Sequence, residues 1–356
     1  MIETIALSIV SFIAILVVLV FAHEFGHFIT AKLARVKVEE FGIGFPPRIF
    51  SFKRGETTYS INAIPLGGFT KMVGEEDPKL PGSLASKSIP IRILVLSAGS
   101  LMNILLPIFL FMISFMIPHD MILEKVQVEE VAQASPAQTA GIEPGDTVLS
   151  INGHDIRNRS DVGYYVQLYL GSQIKMTLQR DELPPNEVNL TPRWNPPPSQ
   201  GATGITIAGV DSTTVHESDP IWKAVPSSIS HCWDILVLFR NEVVGWFIRG
   251  TTPQVTGPIG IAEITGQVAK AGISPLLEFA ALISINLAII NIFPFPGLDG
   301  GRLIFVFLEW IRRGKRISPK REGLVHLIGF AVLLLLILVV SYYDIAHIIQ
   351  GQGVLP

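Results

Sequence analysis

The chain has 356 residues, a mean hydropathy of +0.46 and only 16% charged residues. This composition is too apolar for an ordinary soluble enzyme, and it indicates a membrane protein that also has a water-exposed part. The net charge of −3 gives no argument for nucleic-acid binding. Cys232 is the only cysteine, which excludes an intrachain disulfide and a cysteine-based zinc site.

Four segments are apolar and long enough to cross a bilayer core of about 30 Å as helices. They are residues 5–22, 93–117, 279–308 and 324–343. Prolines and glycines interrupt the third segment. The first segment lacks a basic leader and a small-residue cleavage site, so we interpret it as a retained span and not as a signal peptide.

The distribution of basic residues predicts the orientation in the membrane. Lysines and arginines are concentrated in the loop between the first two spans and in the loop between the last two. The positive-inside rule therefore places both loops in the cytoplasm and both termini outside. The region from about residue 119 to residue 275 is then also outside.

Residues 38–72, from "VEEFGIG" to "PLGGFTKM", contain short alternating runs broken by glycine and proline, a pattern that predicts β-hairpins. The segment follows the first span directly. It is either a cytoplasmic surface loop or a sheet that dips toward the membrane and offers an edge strand to an extended peptide. Irregular backbone at membrane depth requires cover by protein or a water-filled cavity.

The outer region resembles a bacterial PDZ domain over residues 126–210. The stretch "SPAQTAGIEPGDTVLSING" carries the resemblance, with a short helix at 137–140, a Gly-Asp turn and a strand at 147–151. The later segments "QIKMTLQR" and "GITIAG" fit the remainder of the domain. This resemblance implies binding of peptide ends or segments by strand addition.

Residues 221–248 place apolar side chains at helical spacing, with Arg240 and Glu242 interrupting any spanning stretch. This pattern predicts an amphipathic helix. It lies either on the outer face of the membrane or against the PDZ domain.

The end of the first span carries the motif "HEFGH". His23 and His27 are four residues apart, which is a rotation of about 400° on a helix, so both imidazoles project from one face. Two imidazoles in this arrangement can hold one metal ion. Glu24 lies about 100° around the helix, where it can act on a water molecule without being a good third ligand. This is the HExxH arrangement of zinc hydrolases.

A catalytic zinc site requires a third protein ligand, and the best candidate is Asp299 in "NIFPFPGLDGG". An ionisable side chain within a spanning segment is costly and is a functional hypothesis by default. Pro294 and Pro296 break the helix and the adjacent glycines permit a sharp turn, so a second helix can start near Asp299. Asp299 as a simple helix cap at the membrane edge is the alternative.

The sequence resembles the site-2 protease family of intramembrane zinc metalloproteases. "HEFGH" and "NIFPFPGLDGG" carry this resemblance jointly, and the order of "PLGGFTKM", "AGSLMN", the PDZ-like region and "TGPIGIA" also matches. The likeness covers nearly the whole chain. It is greatest to the bacterial regulator-of-sigma-E protease branch, which often carries two PDZ domains where this chain has room for one.

The resemblance implies roles for individual residues. His23, His27 and Asp299 would hold one Zn²⁺, and Glu24 would be the general base and acid. Asn286 and Asn291 match family asparagines that engage the substrate backbone or the oxyanion. Their alternative role is hydrogen bonding between helices.

The expected fold is a polytopic α-helical membrane protein with four spanning segments, a membrane-associated β-hairpin region and an extracytoplasmic PDZ domain of the α+β class. The predicted regions are 1–35 (first span with HExxH), 36–90 (hairpin region), 91–120 (second span), 121–210 (PDZ domain), 211–275 (amphipathic helix and linker), 276–311 (third span with the Asn/Pro/Asp-Gly motif), 312–322 (basic cytoplasmic loop) and 323–349 (fourth span).

The expected activity is intramembrane cleavage of single-span regulatory proteins of the anti-sigma-factor type, in the bacterial inner membrane and toward its cytoplasmic side. The expected partners are these substrates, peptide segments or C-termini at the PDZ domain, and membrane lipid, with no nucleic acid. Cleavage of remnant signal peptides is left open. Two alternatives are a non-catalytic PDZ membrane adaptor on a protease-like scaffold and a transporter, because broken helices with a buried acid also mark ion paths.

Overall fold

A computed structural model describes residues 2–75, 78–251 and 256–350 of the chain. Residue 1, residues 76–77 of the predicted hairpin region and residues 252–255 of the predicted linker lie outside the described residues. The chain divides into two compact units, Met1–Ser114 with Val255–Pro356, and Phe115–Gln254. In chain order, the elements are α1 (Ile2–Leu33), β1 (Val38–Arg54), β2 (Thr57–Met72), α2 (Ile89–Met116), β3 (His119–Val131), α3 (Pro136–Thr139), β4 (Thr147–Ile151), β5 (His154–Asp155), α4 (Arg159–Leu168), β6 (Ile174–Gln179), β7 (Asn186–Leu190), β8 (Ile205–Glu217), α5 (Ile221–Arg249), α6 (Pro258–Ala271), α7 (Ile273–Ile292), α8 (Asp299–Ile311) and α9 (Pro319–Ile349).

Among the residues that the structure describes, four helices are long and apolar enough to cross a membrane. They comprise Ile5–Leu33 of α1 and the whole of α2, α7 and α9. The prediction of a polytopic membrane protein is confirmed. The third predicted span is shorter than the apolar segment, because α7 ends at Ile292 and the chain resumes as the separate helix α8.

The break between α7 and α8 follows from local sequence. Phe293 has extended backbone angles, and Pro294 and Pro296 cannot continue a helix because they lack an N–H donor. Gly297 has a φ of +101°, which a residue with a Cβ rarely adopts. The next helix begins at Asp299, as the sequence predicted, so the carboxylate lies in the first turn, where the helix dipole favours a negative charge.

Helices α2 and α8 are joined by a buried ionic network. Arg92 Nη1 donates to Glu309 Oε2 at 2.6 Å, and both residues are 7% exposed. Arg316 donates to the other carboxylate oxygen of Glu309 at 2.9 Å and to the carbonyl of Ala85 at 2.7 Å. Both oxygens of the buried carboxylate are therefore paired, which is what such a charge requires.

An apolar cluster accompanies this network and connects α1, the hairpin strands, α2 and α8. Its buried members are Ala31, Val36, Val38, Met72, Leu84, Val95, Leu96, Leu303 and Val306. The two hairpin strands and two helices from later in the chain, α2 and α8, are thus held around the end of α1 that carries HExxH.

The predicted β-hairpins are confirmed. Strands β1 and β2 pair antiparallel, and both are bent. Residues 40–43 pair on one side with residues 58–61 and on the other with residues 68–71. The segment 68–72 is therefore an outer segment of this small sheet, and it runs beside α1.

The second unit contains a six-stranded sheet. Five strands follow the order β7-β6-β4-β3-β8, and the sixth, the short β5, pairs with β4. Its core is formed mainly by strand residues and by Val162 and Val166 of α4. The short helix α3 is capped by Ser135, whose hydroxyl accepts from Gln138 N–H. Helix α5 covers α4, since the Asn241 amide donates to the carbonyls of Gln167 and Leu168 at 2.9 Å.

The amphipathic helix predicted at 221–248 is confirmed as α5. Its packing on α4 supports the alternative in which it lies against the PDZ-like region. Large apolar side chains remain exposed elsewhere on the helix, among them Trp222, Ile229 and Trp233. The position of this exposed face relative to lipid remains a prediction.

A buried carboxylate stabilises the turn before β4. Asp146 is 1% exposed, accepts from Arg180 Nε at 2.7 Å and from Nη2 at 3.0 Å, and also accepts from Glu143 N–H. Burial acts to raise the pKa of Asp146, but the hydrogen bonds and charge of Arg180 together with the Glu143 N–H outweigh it, so the pKa is lowered.

We expect Asp146→Asn to destabilise the second unit by about 1.5–3 kcal/mol, because hydrogen bonds to a charged group are lost. The native pKa lies below the unfolded one, so the stabilisation is present above a pH of about 3.9 and disappears as the pH falls through the native value. Hydrogen exchange of β4 and β6 at pH 7 measures the change. The control is Asp211→Asn, where an exposed carboxylate pairs with Lys125. Equal protection in the two variants would contradict the prediction.

Candidate metal centre

Two histidines of α1 and the distant Asp299 at the start of α8 meet at one point. Asp299 Oδ2 lies 3.0 Å from the Nε2 atoms of both His23 and His27. The two Nε2 atoms are 3.3 Å apart. His23 and His27 are buried, and Asp299 is 20% exposed, so one side of the cluster is accessible.

These separations match the donor spacing of a zinc site. Donors at the usual zinc distance of about 2.0–2.2 Å in a tetrahedral arrangement lie roughly 3.3 Å from one another. Two imidazole nitrogens and one carboxylate oxygen are also a donor set that zinc accepts, with a fourth position left for water or substrate. The residues present therefore fit Zn²⁺.

The ring of His27 is fixed by α2. Its Nδ1 donates to the carbonyl of Val95 at 2.8 Å. A carbonyl oxygen can only accept, so Nδ1 carries a proton. In the neutral ring the lone pair is then on Nε2, the atom that faces Asp299 and would bind a metal. This is the usual arrangement of a histidine that binds a metal.

Helix α2 can support both rings only because it lies very close to α1. A Cβ atom added to Gly99 would overlap the rings of both His23 and His27. A Cβ atom on Gly26 of α1 would overlap the carbonyl of Ala98. Small residues at this helix crossing let the backbones approach, as is common between membrane helices.

Glu24 is held by the hairpin. Thr70 Oγ1 donates to Glu24 Oε2 at 2.8 Å and also lies 3.0 Å from the backbone carbonyl of Glu24. Gly68 of the same strand lies so close that a Cβ there would be 2.9 Å from Glu24 Cγ. One carboxylate oxygen is thus engaged by Thr70, which leaves the other to act as an acceptor.

The two asparagines of the sequence analysis do not join the cluster of three donors. Asn286 and Asn291 both lie on α7, with Asn286 exposed and Asn291 half-buried. Neither side chain makes a hydrogen bond to another residue within the described ranges. Their predicted contact with substrate or oxyanion stays a prediction.

Sequence reasoning missed the residues that surround the site, namely Thr70, Val95, Gly99 and Asn103. Asn103 is 0% exposed and its Nδ2 lies 3.4 Å from His23 Nδ1. A signal for it existed, because an amide inside an otherwise apolar span is costly. Val95 acts through its backbone, and no side-chain pattern reveals such a role.

The comparison with known proteins agrees with this geometry. A family model described as Peptidase family M50 matches residues 11–336. The chain belongs to peptidase family M50. The M50 chain is 31% identical over 430 residues to the zinc metalloprotease RasP of Geobacillus kaustophilus, which covers 97% of this chain and 99% of the relative.

Two further relatives are also covered over nearly their whole length. The zinc metalloprotease RasP of Bacillus licheniformis is 31% identical, with 96% of this chain and 99% of the relative covered. A Clostridium acetobutylicum protein, named as a zinc metalloprotease, is 34% identical over 331 residues, with 93% and 95% covered. This M50 chain is a zinc metalloprotease, and its cofactor is Zn²⁺.

We expect Gly99→Ala to weaken zinc binding by at least about tenfold, because the added methyl group displaces both imidazoles. Zinc content by mass spectrometry of the purified protein, followed by chelator competition, measures the effect. Gly163→Ala in α4 is the matched control, since a Cβ there meets no atom within 4 Å. Full zinc affinity in Gly99→Ala would show that the ring positions are not set by this contact.

Proposed function

We propose that this M50 zinc metalloprotease is an intramembrane endopeptidase that cleaves transmembrane segments of single-span regulatory proteins. The observation that carries the proposal is the position of the three donors. His23 and His27 lie on α1, a candidate membrane span, and Asp299 begins the helix that follows the spanning helix α7. A peptide bond brought to this site would itself come from a membrane-embedded segment.

His23, His27 and Asp299 would be the zinc ligands. Bound zinc supplies Lewis acidity, which polarises a carbonyl group and makes water acidic enough to lose a proton near neutral pH. The separations of 3.0–3.3 Å between the donor atoms support this assignment. Asp299, the carboxylate of the set, balances part of the metal charge inside an apolar protein region.

Glu24 would act as general base and then as general acid. It would accept a proton from the attacking water and pass it to the amine of the departing peptide. Thr70 holds one carboxylate oxygen, so the proton would be carried by the other. The C–N bond would break, with the hydroxyl of water on the carbonyl carbon and its proton on the departing nitrogen. Glu24 would then be ionised again.

The hairpin sheet would hold the substrate in an extended form. A substrate helix hides its carbonyls in internal hydrogen bonds and must unwind before cleavage. Residues 68–72 form an outer segment of the sheet, and Thr70 of this segment contacts Glu24. A peptide added along this segment would pass close to the general base. Asn286 and Asn291 would bind the unwound backbone or the oxyanion.

The second unit would be an extracytoplasmic PDZ domain that controls access. Its sheet order, the capped helix α3 and the edge position of β8 support a peptide-binding role by strand addition. The basic loops would face the cytoplasm and the termini the outside. The protein would reside in the bacterial inner membrane, and its substrates would be of the anti-sigma-factor type, with remnant signal peptides as a further class.

A non-catalytic PDZ membrane adaptor is the competing function. The intact set of His23, Glu24, His27 and Asp299 argues against it, because an adaptor has no use for three donors at metal-binding distance beside a carboxylate held by Thr70. The transporter alternative does not apply to a zinc metalloprotease of family M50.

We expect Glu24→Gln to keep zinc and to lower cleavage by at least about 100-fold, because the amide cannot accept the proton. His23→Ala should lose both zinc and cleavage. Zinc content of the purified variants and a proteomic comparison of membrane fragments in cells measure the two effects. Fragments that disappear in Glu24→Gln identify the substrates. Unchanged cleavage in Glu24→Gln would refute the protease assignment of this site.

We expect Thr70→Val to lower kcat by roughly tenfold with KM unchanged, because it removes one hydrogen bond to a charged group. Valine has nearly the same shape as threonine, so the packing beside Glu24 is kept while the hydrogen bond is lost. Steady-state kinetics with a transmembrane peptide in detergent gives the two constants. Thr57→Val is the control, because it removes a buried hairpin hydrogen bond to the Val38 carbonyl that does not involve Glu24. Equal losses in both variants would instead mean a general loosening of the sheet.

A further inference from the structure

Asn103 of α2 is a buried amide with one unused end. The residue is fully buried, and its backbone carbonyl accepts from Ser284 Oγ at 2.9 Å. Its side-chain Nδ2 lies 3.4 Å from His23 Nδ1. Among the residues that the structure describes, no donor contacts Asn103 Oδ1. A buried acceptor without a partner costs about 1–3 kcal/mol, so its presence in a membrane helix requires a reason.

His23, like its neighbour His27, needs a hydrogen-bond acceptor for its Nδ1 proton if Nε2 is to bind the metal. Both Nε2 atoms lie 3.0 Å from Asp299 Oδ2, so both face the point where the donors converge. A metal-binding Nε2 must keep its lone pair, and a neutral imidazole then carries its proton on Nδ1. For His27 the acceptor of that proton is the Val95 carbonyl. For His23 the group in contact with Nδ1 is the Asn103 amide.

The unpaired Asn103 Oδ1 needs a donor, and the Nδ1 proton of His23 needs an acceptor, so one hydrogen bond between them meets both needs. The ends of an amide group are nearly equal in size, so a half-turn of the Asn103 side chain places Oδ1 where Nδ2 lies. Oδ1 then accepts from His23 Nδ1–H, and the unused acceptor gains its donor. We propose that Asn103 is a positioning residue for the zinc site, which fixes the His23 ring with Nε2 directed at the metal. This inference rests on the proposed zinc ligands.

Helix α2 would then supply the outer partner of both histidines, Val95 for one and Asn103 for the other. Both histidines lie on α1, so the zinc site depends on the register between α1 and α2. A role of Asn103 in helix packing alone is the alternative, since buried amides also join membrane helices. That role would not depend on which atom of the side chain faces His23.

The test uses the full-length protein purified in detergent, with two substitutions of Asn103. Asn103→Leu has a similar size but offers no acceptor. Asn103→Asp keeps an acceptor oxygen in the same place. Zinc affinity is measured by chelator competition, and the ligand geometry by the visible absorption spectrum of the Co²⁺-loaded protein. Ser114→Ala is the control on the same helix, because Ser114 is fully buried and bonds to Ser274, away from the histidines.

We expect Asn103→Leu to weaken zinc binding by about 10–100-fold and to alter the Co²⁺ spectrum, as is typical when an outer partner of a metal-binding histidine is lost. Asn103→Asp should bind zinc as tightly as wild type or more tightly, because a carboxylate accepts from Nδ1–H equally well. Ser114→Ala should match wild type. If Asn103→Leu does not fold, Asn103→Ala replaces it with the same expected order.

Wild-type zinc affinity and an unchanged Co²⁺ spectrum in Asn103→Leu would overturn the proposal. Equal losses in Asn103→Leu, Asn103→Asp and Ser114→Ala would also overturn it, because they would show a packing role only. His23→Ala measured in parallel separates the two levels of inference. If His23→Ala keeps its zinc, the zinc-site assignment itself fails, whereas zinc loss in His23→Ala with no effect at Asn103 refutes only the role of Asn103.

Discussion

The close approach of α1 and α2 is the constraint on which the site depends. Two histidines one helical turn apart place both imidazoles on the same face of α1. They do not fix where the ring nitrogens lie, because an isolated ring can rotate about its side-chain bonds. The position is set by α2, which brings the Val95 carbonyl within 2.8 Å of His27 and the Asn103 amide within 3.4 Å of His23. A side chain at Gly99 would occupy the space of both rings. The proposed zinc site between candidate spanning helices therefore requires residues without a side chain, Gly99 and Gly26, where α1 and α2 cross.

The site also requires that the helix be interrupted between α7 and α8. The prolines and Gly297 end α7, so α8 can begin with Asp299 directed at the histidines. This arrangement alone would leave α8 weakly held, since it is short. The ion pair of Arg92 with Glu309 at 2.6 Å, the second pair with Arg316 and the surrounding apolar cluster attach α8 to α2. Helix α2 therefore positions all three donors. It contacts the histidines through the Val95 carbonyl and the Asn103 side chain, and it holds the helix that carries Asp299 through the buried ionic network.

The hairpin sheet connects Glu24, the proposed general base, to the proposed path of the substrate. Thr70 holds Glu24 and belongs to an outer segment of the sheet, so one element would position both the base and a peptide that pairs with this segment. The residues of the proposed site come from parts of the chain that are separated by as many as 276 residues, from His23 to Asp299. The strand that holds Glu24 is closer in the chain, because Thr70 lies 46 residues after Glu24.

The sequence by itself predicted four spanning segments, the hairpins, the amphipathic helix, the HExxH pair and Asp299, but it made the third span too long. Each of these rests on local periodicity, on helix-breaking residues or on the high cost of a charge in an apolar segment, and all three are readable without a fold. Only the tertiary structure decided that α2 supports both histidines, that Thr70 holds Glu24 and that Arg92 pairs with Glu309. These contacts use backbone carbonyls, single hydroxyls and residues far apart in the chain, so their partners depend on helix register and crossing distance. No periodicity of the sequence encodes that distance, because it results from the packing of all the helices together.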